Sequence, residues 1–169
     1  MSIARNPSMP EGRSSRPNEY AALAAWIVTC FLPSLTGIFF PPGEWYLDLN
    51  KPTWNPPGWI FGPVWTCLYL SMGIAAWMIW KTPKEAPRQK ALTFFGIQLI
   101  LNAIWSPVFF GLHNMGMAFV VIIGLWLAIG ITLLSFLKVN RKAGWMLLPY
   151  LLWVSFASFL NFTLWRMNS

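Results

Sequence analysis

Three stretches of this chain gather indole rings and neutral amides at helical spacing. Trp65, Tyr69 and Met72 follow steps of four and three, and Gln98, Asn102, Trp105 and Phe109 follow steps of four, three and four. Tyr150, Trp153, Ala157, Asn161 and Leu164 follow steps of three, four, four and three. Residues so spaced stack on one side of an α-helix. The chemistry open to them is recognition. Indoles stack on a flat apolar molecule, while an amide or a tyrosine hydroxyl fixes its polar edge. A plainer possibility is that Gln98, Asn102 and Asn161 tie helices together and the tryptophans fill a core.

Other chemistries lack their groups. No Asp, Glu, Lys, Arg or His stands on these faces, so the relay of a pump or an ion-coupled transporter is missing. His113 is the single histidine, and no Cys/His cluster has metal-ligand spacing, so no metal site is expected. There is neither a nucleophile, base and acid set nor a phosphate-binding glycine loop, which argues against hydrolysis and phosphoryl transfer. Cys30 and Cys67 lie within apolar stretches and read as packing residues.

The elements that must hold these faces are membrane spans. Every charged residue falls outside four stretches, at 20–43, 52–80, 91–137 and 143–165. A charge-free apolar run of about 18 residues or more reads as a transmembrane helix. As one helix the third stretch would be about 70 Å long, more than twice the hydrocarbon core, so it must fold back. Its one turn-like break is Gly111-Leu112-His113-Asn114-Met115-Gly116. The expectation is an all-α integral membrane protein, a bundle of five transmembrane helices at about 20–40, 58–81, 90–110, 115–139 and 142–166. A long first loop follows helix 1. Residues 1–19 read as a disordered basic tail without a signal peptide, and 20–169 as a single domain.

The net charge of +7 could suggest nucleic acid, but its distribution points to topology instead. With five spans, ten of the twelve Lys and Arg fall on the face that holds the N-terminus, and only Lys51 and Arg166 on the other. By the positive-inside rule the N-terminus is cytoplasmic. The expected setting is a multi-pass protein of a bacterial cell membrane, or of an organelle membrane if the source is eukaryotic.

Within the first span Pro33 removes a backbone hydrogen bond, so that half should face protein or a cavity. The first connection, 41–57, mixes Glu44, Asp48 and Lys51 with Trp45, Tyr46 and Leu47. It reads either as an interfacial anchor or as a lid. Pro56-Pro57 pre-set the backbone for a helix beginning near Pro57 or Gly58. Trp54 and Trp59 then lie at the boundary, with Trp65 about 10 Å, Trp105 about 9 Å and Asn161 about 8 Å below it. The fourth span offers Met117 and Trp126 but no amide, and reads as a wall.

The residues also carry a resemblance. Pro33-Ser34, Trp45-Tyr46, Leu49-Asn50-Lys51-Pro52, Trp54-Asn55-Pro56-Pro57-Gly58-Trp59 and Gly62-Pro63-Val64-Trp65 occur in order. Gln98-Leu99, Leu101-Asn102, Trp105-Ser106-Pro107-Val108-Phe109-Phe110-Gly111, Pro149-Tyr150-Leu151, Trp153 and Leu160-Asn161-Phe162 follow. The chain resembles the translocator protein family, also called TspO/MBR or peripheral-type benzodiazepine receptor proteins, across nearly all of 33–166.

The resemblance implies a five-helix bundle, commonly a homodimer, that binds porphyrins (protoporphyrin IX, haem), sterols and benzodiazepine-type ligands beneath the first loop. No cofactor is required, and porphyrin or haem would be the ligand. The implied contacts are Trp45, Trp54, Trp65, Tyr69, Asn102, Trp105, Phe109, Met117, Trp153, Ala157, Leu160 and Asn161. Porphyrin breakdown in the family is attributed to tryptophans that match Trp65 and Trp153, so these two would be the catalytic residues if the chain degrades porphyrins. Two positions depart from the pattern. Phe162 stands where the family's sterol motif has a central tyrosine, and Met117 stands where animal members have a ligand-stacking tryptophan.

Overall fold

The computed structural model describes residues 18–83 and 85–169. The tail expected over 1–19 lies almost wholly outside the described residues. Helix α1 spans Asn18–Phe39. A connection carrying the short helix α2, Glu44–Asp48, leads to a 3-10 turn at Gly58–Ile60 and then to α3, Phe61–Trp80. Helix α4, Ala86–Ser106, continues as a π-helical turn at Pro107–Gly111. Helix α5 spans Met115–Val139, and the last crossing is built from α6, Arg141–Trp145, and α7, Leu148–Met167.

Among the described residues five helical segments are long and apolar enough to cross a membrane, at Glu19–Phe39, Gly58–Trp80, Pro87–Gly111, Met115–Val139 and Arg141–Met167. The protein is a multi-pass membrane protein. Helix α4 packs along α5 and α1, α1 along α3, and α5 along α7, while α6 wedges against α3 and α5.

The prolines act as sequence chemistry requires, with one difference. The 3-10 turn begins at Gly58, directly after Pro56-Pro57. Helix α1 runs on through Pro33, whose buried side lies against the bundle. The fifth span, expected as one helix over 142–166, is broken between Trp145 and Leu148, just before Pro149. Pro149 has no N–H and clashes with the preceding turn. The Met146 carbonyl is met by the Ser71 hydroxyl at 2.9 Å, which keeps the break satisfied in an environment without water. Other hydroxyls settle on their own helices. Thr29, Thr66, Ser135, Ser155 and Thr163 donate to the carbonyl four residues earlier at 2.7–2.9 Å, so none faces hydrocarbon unpaired.

Small residues draw the helices together at the end of the bundle where α1 begins. A methyl group on Gly73 would come 2.8 Å from the Ile27 Cα, so α1 and α3 touch backbone to backbone there. Ala75, Ala76, Ile79 and Ala91 are fully buried nearby, and Phe95 stacks on Phe136 at 5.7 Å. Lys81 pairs with Glu19 at 2.9 Å and Trp77 Nε1 donates to the Glu19 carbonyl, tying the start of α1 to the end of α3.

Candidate functional site

At the opposite end, where the first connection crosses the bundle, the helices enclose a cavity of about 410 Å³. Helix α1 contributes Pro33, Ser34 and Gly37, so its proline-bearing half does face a cavity. The connection adds Phe40, Pro42, Tyr46, Asn55 and Pro56. Phe61, Trp65 and Tyr69 come from α3, and Asn102, Trp105, Ser106, Phe109 and Phe110 from α4 and its π-helical turn. Helix α5 supplies Ile122 and Leu125, an apolar wall, and α7 supplies Trp153, Val154, Ala157, Leu160, Asn161 and Leu164.

Aromatic rings dominate the wall, and most of them pack on one another. Trp65 stacks on Tyr69 at 5.2 Å, Trp105 stacks on Phe109 at 4.9 Å, and Phe61 meets Trp153 edge-on at 5.7 Å. The two readings of the amides are not exclusive, because the same side chains that line the cavity also join helices. Tyr69 Oη donates to Asn102 Oδ1 at 3.1 Å, and Asn102 Nδ2 donates to Tyr150 Oη at 2.9 Å. Tyr150 Oη donates to Gln98 Oε1 at 3.0 Å. Closer to the loop, Trp105 Nε1 donates to Asn161 Oδ1 at 3.1 Å while Asn161 Nδ2 donates to the Met115 carbonyl at 2.9 Å. Trp153 Nε1 is buried without a hydrogen-bond partner.

Nine of the twelve residues singled out from sequence line this cavity: Trp65, Tyr69, Asn102, Trp105, Phe109, Trp153, Ala157, Leu160 and Asn161. Trp45, Trp54 and Met117 do not. Trp45 turns away to stack on His113 at 4.3 Å with an interplanar angle of 15°, and meets Phe109 edge-on. Trp54 lies over Phe159 at 5.2 Å, on the outer surface of α7. Met117 is half exposed in the first turn of α5, where its N–H donates to the capping Asn114 side chain. Sequence reasoning missed Tyr46, Asn55 and Phe61. Tyr46 and Asn55 sit in quoted motifs, but nothing in their spacing shows which loop residues turn inward.

The connection acts as a cover. Tyr46 packs edge-on against Phe109 and Phe110, and Lys51 Nζ sits 4.8 Å above the Tyr46 ring while donating to the Leu47 and Leu49 carbonyls. Burial raises the Tyr46 phenol pKa, and the nearby Asn55 side chain offsets part of that rise. Asn55 Oδ1 itself completes no hydrogen bond of good geometry. Asn50 and Asn168 then clasp the cover to the chain end: the Asn50 N–H donates to Asn168 Oδ1 and Asn168 Nδ2 to the Asn50 carbonyl, both at 2.9 Å. Among the described residues no Lys, Arg, His, Asp or Glu lines the cavity, and no group of three or more His, Cys, Asp or Glu could hold a metal.

The profile of the TspO/MBR family matches residues 17–166. The chain belongs to that family. A tryptophan-rich sensory protein of Cereibacter sphaeroides is 38% identical over 150 residues, covering 89% of this chain and 93% of the relative. Tryptophan-rich protein TspO of Chlorobaculum tepidum is 43% identical over 150 residues, covering 86% and 95%. The human translocator protein is 39% identical over 145 residues, covering 82% and 83%. As a TspO/MBR protein the chain joins a family whose members bear sensory and translocator names.

Proposed function

We propose that this protein is a membrane receptor or carrier-like sensor that binds a tetrapyrrole such as protoporphyrin IX or haem in the covered cavity. Sterols and benzodiazepine-type molecules are further ligands of the same shape class. The observation that carries this reading is a cavity whose wall holds three indoles, Trp65, Trp105 and Trp153, with neutral amides between them and a clasped loop above. An aromatic wall suits a flat conjugated ring. Because no histidine stands on the wall, recognition works through stacking and edge contacts, with the acidic substituents left near the loop. By the charge bias the loop end faces away from the cytoplasm of a bacterial or organelle membrane, and the working form is a homodimer.

Quenching of tryptophan fluorescence by protoporphyrin IX tests the assignment. Trp65→Phe and Trp105→Ala should each weaken binding about 5-fold or more, the scale of a lost aromatic stack. Unchanged affinity in both discards the site. A second reading, oxidative breakdown of a bound porphyrin in light, draws on Trp65 and Trp153 sharing one wall. Loss of porphyrin absorbance that persists in the double Phe variant removes it.

A further inference from the structure

The buried polar chain beneath the cavity has a direction. Each phenol has one proton to give. Tyr69 gives its proton to Asn102, and Tyr150, which receives one from Asn102, passes its own to Gln98. Tyr69 and Asn102 belong to the cavity wall, whereas Tyr150 and Gln98 do not and are each 1% exposed. The Asn102 amide therefore turns its oxygen toward Tyr69 and its nitrogen toward the interior. With its proton committed, Tyr69 offers the cavity only an oxygen lone pair.

We infer that Gln98 is a positioning residue that selects the ligand without touching it. By accepting the Tyr150 proton, Gln98 Oε1 sets the direction of the whole chain, so among tetrapyrroles the cavity prefers one whose inner edge carries a hydrogen-bond donor over one whose inner edge is apolar, as in protoporphyrin IX, or carries only acceptors. A hydroxyl or N–H group there gains a bond to the Tyr69 oxygen, whereas a ketone or carboxylate there faces lone pair against lone pair. The inference rests on the cavity being the ligand site. Gln98 Nε2 is buried without a partner, so the one bond the amide makes is the one it accepts. In Gln98→Leu the Tyr150 proton has no acceptor unless the Asn102 amide turns over. Asn102 then donates to Tyr69, which frees the Tyr69 proton for the ligand and removes the discrimination against an acceptor, because a ligand hydroxyl and a ligand ketone can each receive that proton.

The test uses two porphyrins that differ only in these groups, haematoporphyrin dimethyl ester with two hydroxyethyl arms and diacetyldeuteroporphyrin dimethyl ester with two acetyl arms. The wild-type protein should bind the hydroxyl form about 10-fold more tightly, the scale of leaving a buried acceptor unpaired, and Gln98→Leu should abolish most of that preference by raising affinity for the acetyl form, since a hydroxyl accepts as well as donates. Equal affinities in the wild type, or an undiminished preference in Gln98→Leu, overturn the inference. A ligand-free readout separates it from the porphyrin reading. The Raman doublet of Tyr69, isolated by subtracting the spectrum of Tyr69→Phe, should move from donor to acceptor character in Gln98→Leu. If the doublet moves but neither porphyrin quenches fluorescence, the porphyrin reading fails and the direction of the chain stands; an unmoved doublet overturns the direction.

Discussion

The two ends of the bundle are built from residues of different size. Where α1 begins, Gly73, Ala75, Ala76, Ala91, Ala143 and Gly144 let backbones approach until side-chain volume is exhausted. At the loop end the same helices carry Trp65, Trp105, Phe109, Phe110 and Trp153. Rings held edge-on and stacked prop the helices apart, and the cavity is the space they cannot fill. One end can thus hold the fold while the other keeps room for a guest. Packing in hydrocarbon gains little from a hydrophobic effect, so close approach through small residues is what stabilises the first end.

The largest break in this division should come from Gly73→Leu. An added Cβ meets the Ile27 backbone at 2.8 Å, which no side-chain rotation relieves. Overpacking of this kind costs about 1–3 kcal/mol, and backbone contact puts it at the upper end. The expected result is a large fall in the thermal midpoint in detergent together with loss of porphyrin binding, because both ends share α1 and α3. If binding survived a collapsed midpoint, the two ends would be energetically independent.

Asn161→Leu attacks the loop end instead. It orphans Trp105 Nε1 and removes the second donor from the Met115 carbonyl, which keeps its own helical bond, at about 2 kcal/mol for the stranded indole N–H and the lost interhelical tie. Trp105 also loses what orients its plane against the cavity. Affinity should fall further than the midpoint does. Equal falls would assign Asn161 to structure alone.

Asn168→Ala should be gentler. It opens the clasp on Asn50 without touching the wall, so ligand dissociation should quicken several-fold, about 1 kcal/mol for one lost pair of exposed bonds, while the midpoint stays in place. Stopped-flow fluorescence separates this from a change in the association rate.

Much of the fold was legible because hydrocarbon permits few solutions. Charge-free runs fix the spans, and helical steps gather Trp65, Tyr69, Asn102, Trp105, Trp153 and Asn161 on inward faces. The break between Trp145 and Leu148 was not legible, since Pro149 at the start of a helix and a proline within one look alike until Ser71 is seen to satisfy the freed carbonyl. Trp45 and Trp54 were placed by motif, yet the rotation of the short helix α2 decides where Trp45 points and the turn before Pro56-Pro57 decides where Trp54 points. Trp45 found His113 and Trp54 found Phe159. Ile122 and Leu125 escaped notice for another reason: an apolar residue against a cavity looks the same in sequence as one against lipid.

The smallest expected effect bears on what holds the first end. Lys81 and Glu19 form a close ion pair, and Lys81 also sits 4.4 Å above the Trp77 ring. Both side chains are about a third exposed, at 35% and 32%, so water screens the pair. Exposed pairs are worth about 0–1 kcal/mol, and salt weakens them further. Lys81→Met keeps the apolar stem against Trp77 and should lower the midpoint only slightly, with no change in ligand affinity and less sensitivity to added salt. The Gly73 contact, by contrast, involves no charge and should be indifferent to salt. If Lys81→Met destabilised the protein as much as Gly73→Leu, the first end would depend on its ion pair, and the contrast between small-residue packing and an aromatic cavity would have to be redrawn around charge.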